Sequence, residues 1–374
     1  MSLSDDEKRD ILRLIRAERV GPVTHRRLVE RFGTAAAALE ALPGLARRGG
    51  AKSPSLPAVS EIEDEIDAAR KQKVQLLFLG EEAYPPLLEY IEDAPPVLFA
   101  KGDPGLAARR CLALVGTRNA SINGTRLAGK LAGELGQEGF AVVSGMARGI
   151  DGAAHEAAVD TGTIAVLAGG VDVVYPKEHA ELHERLAAEG LVISEMPLGL
   201  TPQARHFPRR NRLISGLSEG VIVVEAAKRS GSLITARTAL EQGREVFAVP
   251  GSPLDPRAQG PNLLIRDGAV LTESAADVTN NLPDVFSPPQ PRLDDPSQVI
   301  EFETENPSAP AETPTDFNHR DLKEFLGPTP VAVDELIRQC QMSPAAVTTI
   351  LLELELAGRI ERHPGNRVSL LAEI

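Results

Sequence analysis

Six short runs of almost unbroken aliphatic residues punctuate the middle of this chain. They are LALVG (112–116), FAVVSG (140–145), TIAVLAGG (163–170), LVISE (191–195), GVIVVEA (220–226) and EVFAV (245–249). A strand with one wet face alternates apolar and polar residues, whereas runs apolar throughout need cover on both faces. The amphipathic stretches over 122–138, 152–161, 179–189 and 232–242 supply that cover, and crossovers of this length favour parallel pairing. The expected fold class is therefore α/β, a Rossmann-like, doubly wound and mainly parallel sheet.

The flanks read differently. Residues 1–72 are expected to form a small helical domain: Ile11, Leu12, Leu14 and Ile15 recur at helical spacing, VGPV interrupts, and Leu28, Val29 and Phe32 precede an Ala-rich segment through Leu42. Two helices joined around Gly21-Pro22 resemble helix-hairpin-helix or sterile-alpha-motif-like modules, without the usual Gly-x-Gly hairpin. The sheet domain is expected over 73–279. Residues 280–318 are rich in Pro and acids, with Arg292 the sole basic residue, and read as a tether spanning about 30 Å if flexible. Over 319–374, helices at 320–326 and 333–339 and a third capped by Ser343 precede the hairpin RIERHPGNRVSLL, the order of a winged helix. That third helix carries Glu353 and Glu355 and no Lys or Arg, a poor match for duplex phosphates, so protein contact and DNA binding both stand open for this domain.

With 374 residues and 42% hydrophobic content the chain can build large cores. The opening MSLSDDEKRD has no apolar signal region and no apolar run reaches spanning length, so a cytoplasmic protein without a membrane span is expected. Cys111 and Cys340, far apart, point to core positions rather than a disulfide or zinc site. Aromatic content of 3% limits base stacking, Phe207 being the obvious exception.

Positive charge is concentrated against a net charge of -13: Met196 to Ser218 holds Arg205, Arg209, Arg210 and Arg212 and no acid. Such a patch fits a phosphate site, the alternative being a solvated loop whose arginines pair with carboxylates elsewhere. Several strands end in glycine or serine before a helix, at Val115-Gly116-Thr117-Arg118, at Ser144-Gly145-Met146-Ala147-Arg148, at Ala168-Gly169-Gly170 and at Lys228-Arg229-Ser230-Gly231. In a parallel sheet this edge binds ligands, because glycine admits the backbone closely and helix N-termini offer amides to anions. The expected site combines Gly116, Arg118, Gly145, Arg148, Phe207, Arg209, Arg210, Asn211, Arg212, Lys228, Ser230 and Gly231, a basic trough longer than one nucleotide needs.

Other chemistries fit less well. The G-x-G-x-x-G fingerprint of dinucleotide enzymes is missing, and Gly124 to Leu131 nearly spells a P-loop but ends in Leu131 where Ser or Thr would hold magnesium. His155-Glu156 lacks the second histidine of a zinc helix, and His179 with His183 reads as an exposed helix pair. Asp151 is expected to cap the following helix beside Arg148, and Glu195 and Glu225 close strands without a nucleophile or ligand cluster. No catalytic residue, metal or cofactor is expected.

The motifs VGTRNASINGTRLAGKLA, VVSGMARGIDGAAHEAAV, TIAVLAGGVDVVYP, ISEMPLG, FPRRNRLISGLS, VIVVEAAKRSGSLITARTALEQGREVFAVPG and GPNLLIRDGA resemble, in order, those of the DNA-processing protein A (DprA/Smf) family in its three-domain form. The resemblance covers roughly residues 80–275. It implies a non-enzymatic binder of single-stranded DNA that protects incoming strands in natural transformation, helps load the RecA recombinase and forms a homodimer through the Rossmann-like domain. It also implies phosphate contacts at Arg118 and the FPRRNR arginines, with Arg148 and the SGSL turn as weaker transfers. The alternative is a nucleotide-hydrolysing enzyme similar to the lysine-decarboxylase-like phosphoribohydrolases, whose PGGxGT-type motif is replaced here by SGSLIT.

Overall fold

Helices α1 (Asp5–Ile15), α2 (Pro22–Phe32), α3 (Ala35–Arg48) and α4 (Val59–Lys71) precede a nine-stranded sheet in the computed structural model. Residues 3–50, 54–282, 322, 325–340, 342–363 and 365–371 are described. They fall into two compact units. One holds the sheet and runs from Val59 through residue 282 with the start of α1; the other joins Asp10–Ala58 to the described residues from 322 onward. Helix α4 thus groups with the sheet rather than with α2 and α3.

The strands are β1 (Gln75–Phe78), β2 (Val97–Gly102), β3 (Cys111–Val115), β4 (Ala141–Ser144), β5 (Thr163–Val166), β6 (Leu191–Ser194), β7 (Gly220–Val223), β8 (Glu245–Ala248) and β9 (Val270–Leu271). Their order is β1-β2-β6-β5-β4-β3-β7-β8-β9. All pairs from β6 to β9 are parallel, while β1 and β2 add an antiparallel edge. The six aliphatic runs are strands β3 to β8, as expected. Between the strands lie α5 (Pro86–Glu89), α6 (Ile122–Gln137), α7 (Ile150–Ala158), α8 (Ala180–Glu189), α9 (His206–Gly216), α10 (Gly231–Glu241) and α11 (Gln259–Arg266), and α12 (Ala275–Thr279) follows β9.

Side-chain alternation along each strand feeds two cores at once. Cys111, Ala113 and Val115 of β3 and Val221 and Val223 of β7 meet Leu213 and Ile214 of α9, Leu217 just beyond it and Ala236 and Ala239 of α10. Leu112 and Leu114 of β3 and Ile222 of β7 meet Leu131 and Leu135 of α6 and Ile150 and Ala154 of α7 on the other face. Each fully buried aliphatic side chain contributes about 1.5–3 kcal/mol, so the doubly covered strands form the stable frame on which the rim turns are hung. Cys111 is buried, which pushes its thiol up to about 12, and Cys340 is half-buried.

In the second unit Leu14, Leu28, Leu39, Leu42 and Leu45 of the N-terminal helices share one core. The C-terminal part contains β10 (Val331–Ala332), α13 (Val333–Cys340), α14 (Pro344–Leu356), β11 (Ile360–His363) and β12 (Arg367–Leu370), with a three-stranded sheet ordered β10-β12-β11. Ser343 caps α14 by accepting from the Ala346 amide at 3.2 Å, as its sequence position implied. The tether over 280–318 and the helix over 320–326 lie largely outside the described residues. No described helix is long and apolar enough to cross a membrane.

Candidate nucleic-acid interface

The sheet order reverses at β3: β4, β5 and β6 lie to one side of it and β7, β8 and β9 to the other. A crevice opens beyond the carboxyl ends of the strands at such a point, because successive crossovers leave in opposite directions. Here it is a cleft of about 670 Å³ between the turns after β3, β4 and β5 and the start of α9. Arg118, Gly145, Met146, Ala147, Arg148, Tyr175, Lys177, Phe207 and Arg210 are among its lining residues. A shallower basin of about 820 Å³ around Lys71, Lys73 and Lys101 sits at the opposite rim and has no aromatic side chain in its lining.

The FPRRNR segment is helical. Pro208 falls in the first turn of α9, where a missing amide hydrogen costs nothing, and the helix aims its successive arginines at different surroundings. Arg210 points inward. Its Nη1 donates to the Gly145 carbonyl at 2.5 Å and to the Val166 carbonyl, closing the ends of β4 and β5. A Cβ at Gly145 would sit 2.6 Å from that guanidinium, so any side chain there would displace it from the two carbonyls. Burial brings Arg210 down to about 10, which leaves it charged at neutral pH.

Asp151, in the first turn of α7, is buried beneath. Its Oδ2 accepts from the Ala147 amide at 3.3 Å. Burial pushes this carboxyl upward, against the opposing pull of Arg210 and of the Ala147, Gly145 and Gly116 amides. The expected Asp151–Arg148 pairing is replaced: Arg148 is exposed and its Nη1 lies 3.9 Å from Glu178 Oε1. Met146, between them, adopts φ 60, and its carbonyl accepts from His179 Nδ1 at 3.1 Å. A left-handed non-glycine costs about 1–3 kcal/mol, offset here by the hydrogen bonds that fix the turn.

Arg212 is also buried. It bonds the Glu195 carboxylate and the Asp93 carbonyl (2.6 Å), with Asp93 Oδ2 3.3 Å from its Nε. This is the carboxylate-paired alternative read for the arginine run, realised at one of its members. Asn211 is buried and ties α9 to the Gly231 carbonyl at 3.3 Å. Arg209 is exposed, outside the cleft lining, 3.9 Å from Glu195 Oε1. Gly116 lies under the rim, where a Cβ would strike Ile150 at 2.4 Å. Lys228 and Gly231 are exposed and Ser230 is half-buried in the turn after β7, away from the cleft lining.

Two aromatic rings and a guanidinium meet at the mouth. Arg118 lies over the Phe207 ring, 5.1 Å from its centroid, and Phe207 and Tyr175 are 5.7 Å apart, tilted at 53°. The sequence reading missed Tyr175 and Lys177. Their signal was present in VDVVYPKEH, where one of the chain's three tyrosines stands two residues before a lysine and five residues after the Gly169-Gly170 pair.

The carboxylates considered as bases are engaged. Glu225 accepts from the amide (2.9 Å) and hydroxyl (2.6 Å) of Ser121, the cap of α6, and Glu195 holds Arg212. The reading of His179 and His183 as an exposed helix pair is corrected: His183 is buried with Nε2 3.0 Å from the Val171 carbonyl, and His179 belongs to the turn before α8. No group of ligands suited to a metal occurs among the described residues.

His155 on α7 is fully buried, with Nδ1 2.7 Å from Thr163 Oγ1, whose hydrogen goes to the Val142 carbonyl. Nδ1 must then donate, and burial drives the ring's pKa down to about 3, which keeps it neutral at pH 7. Below pH 6.5 the unfolded chain takes up a proton that the folded chain refuses until about pH 3, so stability falls with pH across that window. The loss from this group is about 1.4 kcal/mol per pH unit. A His155→Gln chain is expected to show a flatter decline of Tm between pH 6 and 4.5 than the parent; equal slopes would contradict this account.

Comparison with known proteins agrees with this architecture. The family model described as DNA recombination-mediator protein A matches residues 75–283, the DprA-like N-terminal HHH domain matches 5–68, and the DprA winged helix domain matches 306–366. The DNA processing protein DprA of Bacillus subtilis is 47% identical over 234 residues, 62% of this chain and 77% of its own length. Protein Smf of Escherichia coli is 39% identical over 330 residues, covering 87% and 85%. The X-ray structure of DNA processing protein A from Streptococcus pneumoniae superposes with a TM-score of 0.62 at 34% identity, over 76% of this chain and 99% of that one. The Helicobacter pylori protein, studied for its single-stranded DNA binding mode, gives 0.51 at 30% identity over 56% and 95%. The recombination-mediator model alone spans more than half the chain, and Protein Smf of Escherichia coli covers 87% of it: this protein belongs to the DNA recombination-mediator protein A (DprA/Smf) family.

Proposed function

We propose that the cleft binds an unpaired DNA strand, with Arg118, Arg148 and Lys177 taking phosphates and Phe207 with Tyr175 stacking bases. Lys228, Ser230, Gly231 and Arg209 extend the cationic path along the same rim, and Gly116, Gly145, Arg210, Asn211 and Arg212 set its shape from below. The observation that carries this reading is the pairing of two aromatic rings with three exposed cations at the carboxyl rim of a protein whose net charge is -13. Stacking is tolerant of sequence and phosphate contact is indifferent to it, so the combination suits a strand of any sequence. The single-stranded DNA binding of the Helicobacter pylori relative supports the same assignment.

The protein acts as a binder rather than a catalyst, since Glu195 and Glu225 hold an arginine and a helix cap. Its place is the protection of incoming strands in natural transformation and the loading of the RecA recombinase, in the cytoplasm and as a homodimer. Exposed Leu271 in the two-residue edge strand β9, with exposed Leu263 on α11, supports self-association through the sheet domain. Titrating labelled oligonucleotides of increasing length against the full chain is expected to show affinity rising with length. It is also expected to fall with salt at a log-log slope near -0.7 per neutralised phosphate. Affinity independent of length, or release of free base from nucleoside monophosphates, would overturn the assignment.

A further inference from the structure

The second half of α14, from Ile350 to Leu356, is buried nearly all round. Val347, Ile350, Leu351 and Leu354 pack with Leu336, Ile360 and Val368 in the core of the winged helix itself. Leu352 and Leu356, on another face, pack instead with Leu28, Leu39, Leu42 and Leu45 of the N-terminal helices. Polar groups close the seam. Arg48 Nε donates to Glu353 Oε1 at 2.6 Å, and Glu353 is fully buried. Thr24 Oγ1 donates to Glu355 Oε1 at 2.7 Å, and Arg362 holds the other oxygen of that carboxylate at 2.6 Å. Arg19, in the turn between α1 and α2, donates to the Leu356 carbonyl at 3.2 Å, and Arg31 to Thr349 Oγ1 at 3.0 Å. The fit is close enough that a Cβ on Gly49 would fall 2.1 Å from the Glu353 carbonyl oxygen.

A winged helix that reads duplex DNA keeps this helix solvated and basic so that it can enter the major groove. Here the helix is acidic and apolar, and its complement is a cationic, leucine-lined surface. We infer that the winged helix of this chain is a protein-docking module whose occupant is the chain's own N-terminal helical module, with α14 as the buried seam between them. Charge complementarity selects the occupant: Arg19, Arg31 and Arg48 face a helix whose only charged residues are Glu353 and Glu355.

Thiol labelling of the full chain tests this. In a Cys340→Ser, Leu352→Cys chain the remaining native thiol, Cys111, is buried, so reactivity reports residue 352. The new thiol is expected to react about a hundredfold more slowly than an exposed one, since it must await local opening of the seam. Adding Gly49→Val, or Arg48→Glu where the valine perturbs folding, is expected to restore fast labelling. A thiol that is fast in the first chain, or slow in all of them, overturns the seam. Duplex affinity, followed by anisotropy of a labelled blunt duplex, is expected to be unchanged by Gly49→Val; a rise of about tenfold or more would instead reveal a masked DNA reader.

Discussion

An Arg210→Met chain is expected to lose about 1–3 kcal/mol of stability in the sheet domain for each of the two buried carbonyls left without a donor. The methionine keeps the apolar stem and removes only the guanidinium. That guanidinium satisfies the carbonyls ending β4 and β5 and lies in the field of buried Asp151. Without it the carboxylate faces amides alone, and two carbonyls lose their donor. Adding Asp151→Asn removes the stranded charge and is expected to recover part of the loss, which urea denaturation of the four chains in the cycle measures. If Arg210 were instead a direct phosphate ligand, Arg210→Met would fold as stably as the parent and its salt slope for a single strand would be shallower by about 0.7. Buried Arg210 and exposed Arg209 therefore separate two roles that the arginine run presents as one.

That separation shows where the sequence is legible. The strands were readable because burial on both faces writes an uninterrupted aliphatic run into each of them, and β3 to β8 agree with those runs to within a few residues. The rim glycines were readable because backbone turns between strand and helix leave a local mark. The fate of each arginine was not. Arg210 finds its acceptor 65 residues away at Gly145, and Arg212 finds the Asp93 carbonyl at a separation of 119. No local spacing encodes partners at that distance, so a buried structural guanidinium and a solvent-facing one look alike in the string FPRRNR. The same holds for His183, whose acceptor at Val171 lies on a turn outside its helix. Glu353 is a further case: the acidity of its helix was visible, but its partner Arg48 stands 305 residues earlier.

Phe207→Ala is expected to weaken binding of a single strand of about ten nucleotides by about 1–3 kcal/mol per base it stacks, roughly 5- to 150-fold, while leaving the salt slope unchanged. Stacking releases no counterions, so its loss moves the affinity at every salt concentration by the same factor. Arg118→Ala is expected to behave differently, lowering affinity and flattening the slope by about 0.7 together. The contrast is informative because the two side chains touch: Arg118 rests over the Phe207 ring at 5.1 Å, and Tyr175 leans on the same ring at 5.7 Å. A base entering the cleft can take the ring face that Arg118 covers only if the guanidinium moves off it, towards the phosphate that follows. Stacking and charge neutralisation are then one coupled step, and the double variant should lose less than the sum of the two single losses. Strict additivity, or a salt slope that falls in Phe207→Ala alone, would show that ring and guanidinium do not share a nucleotide.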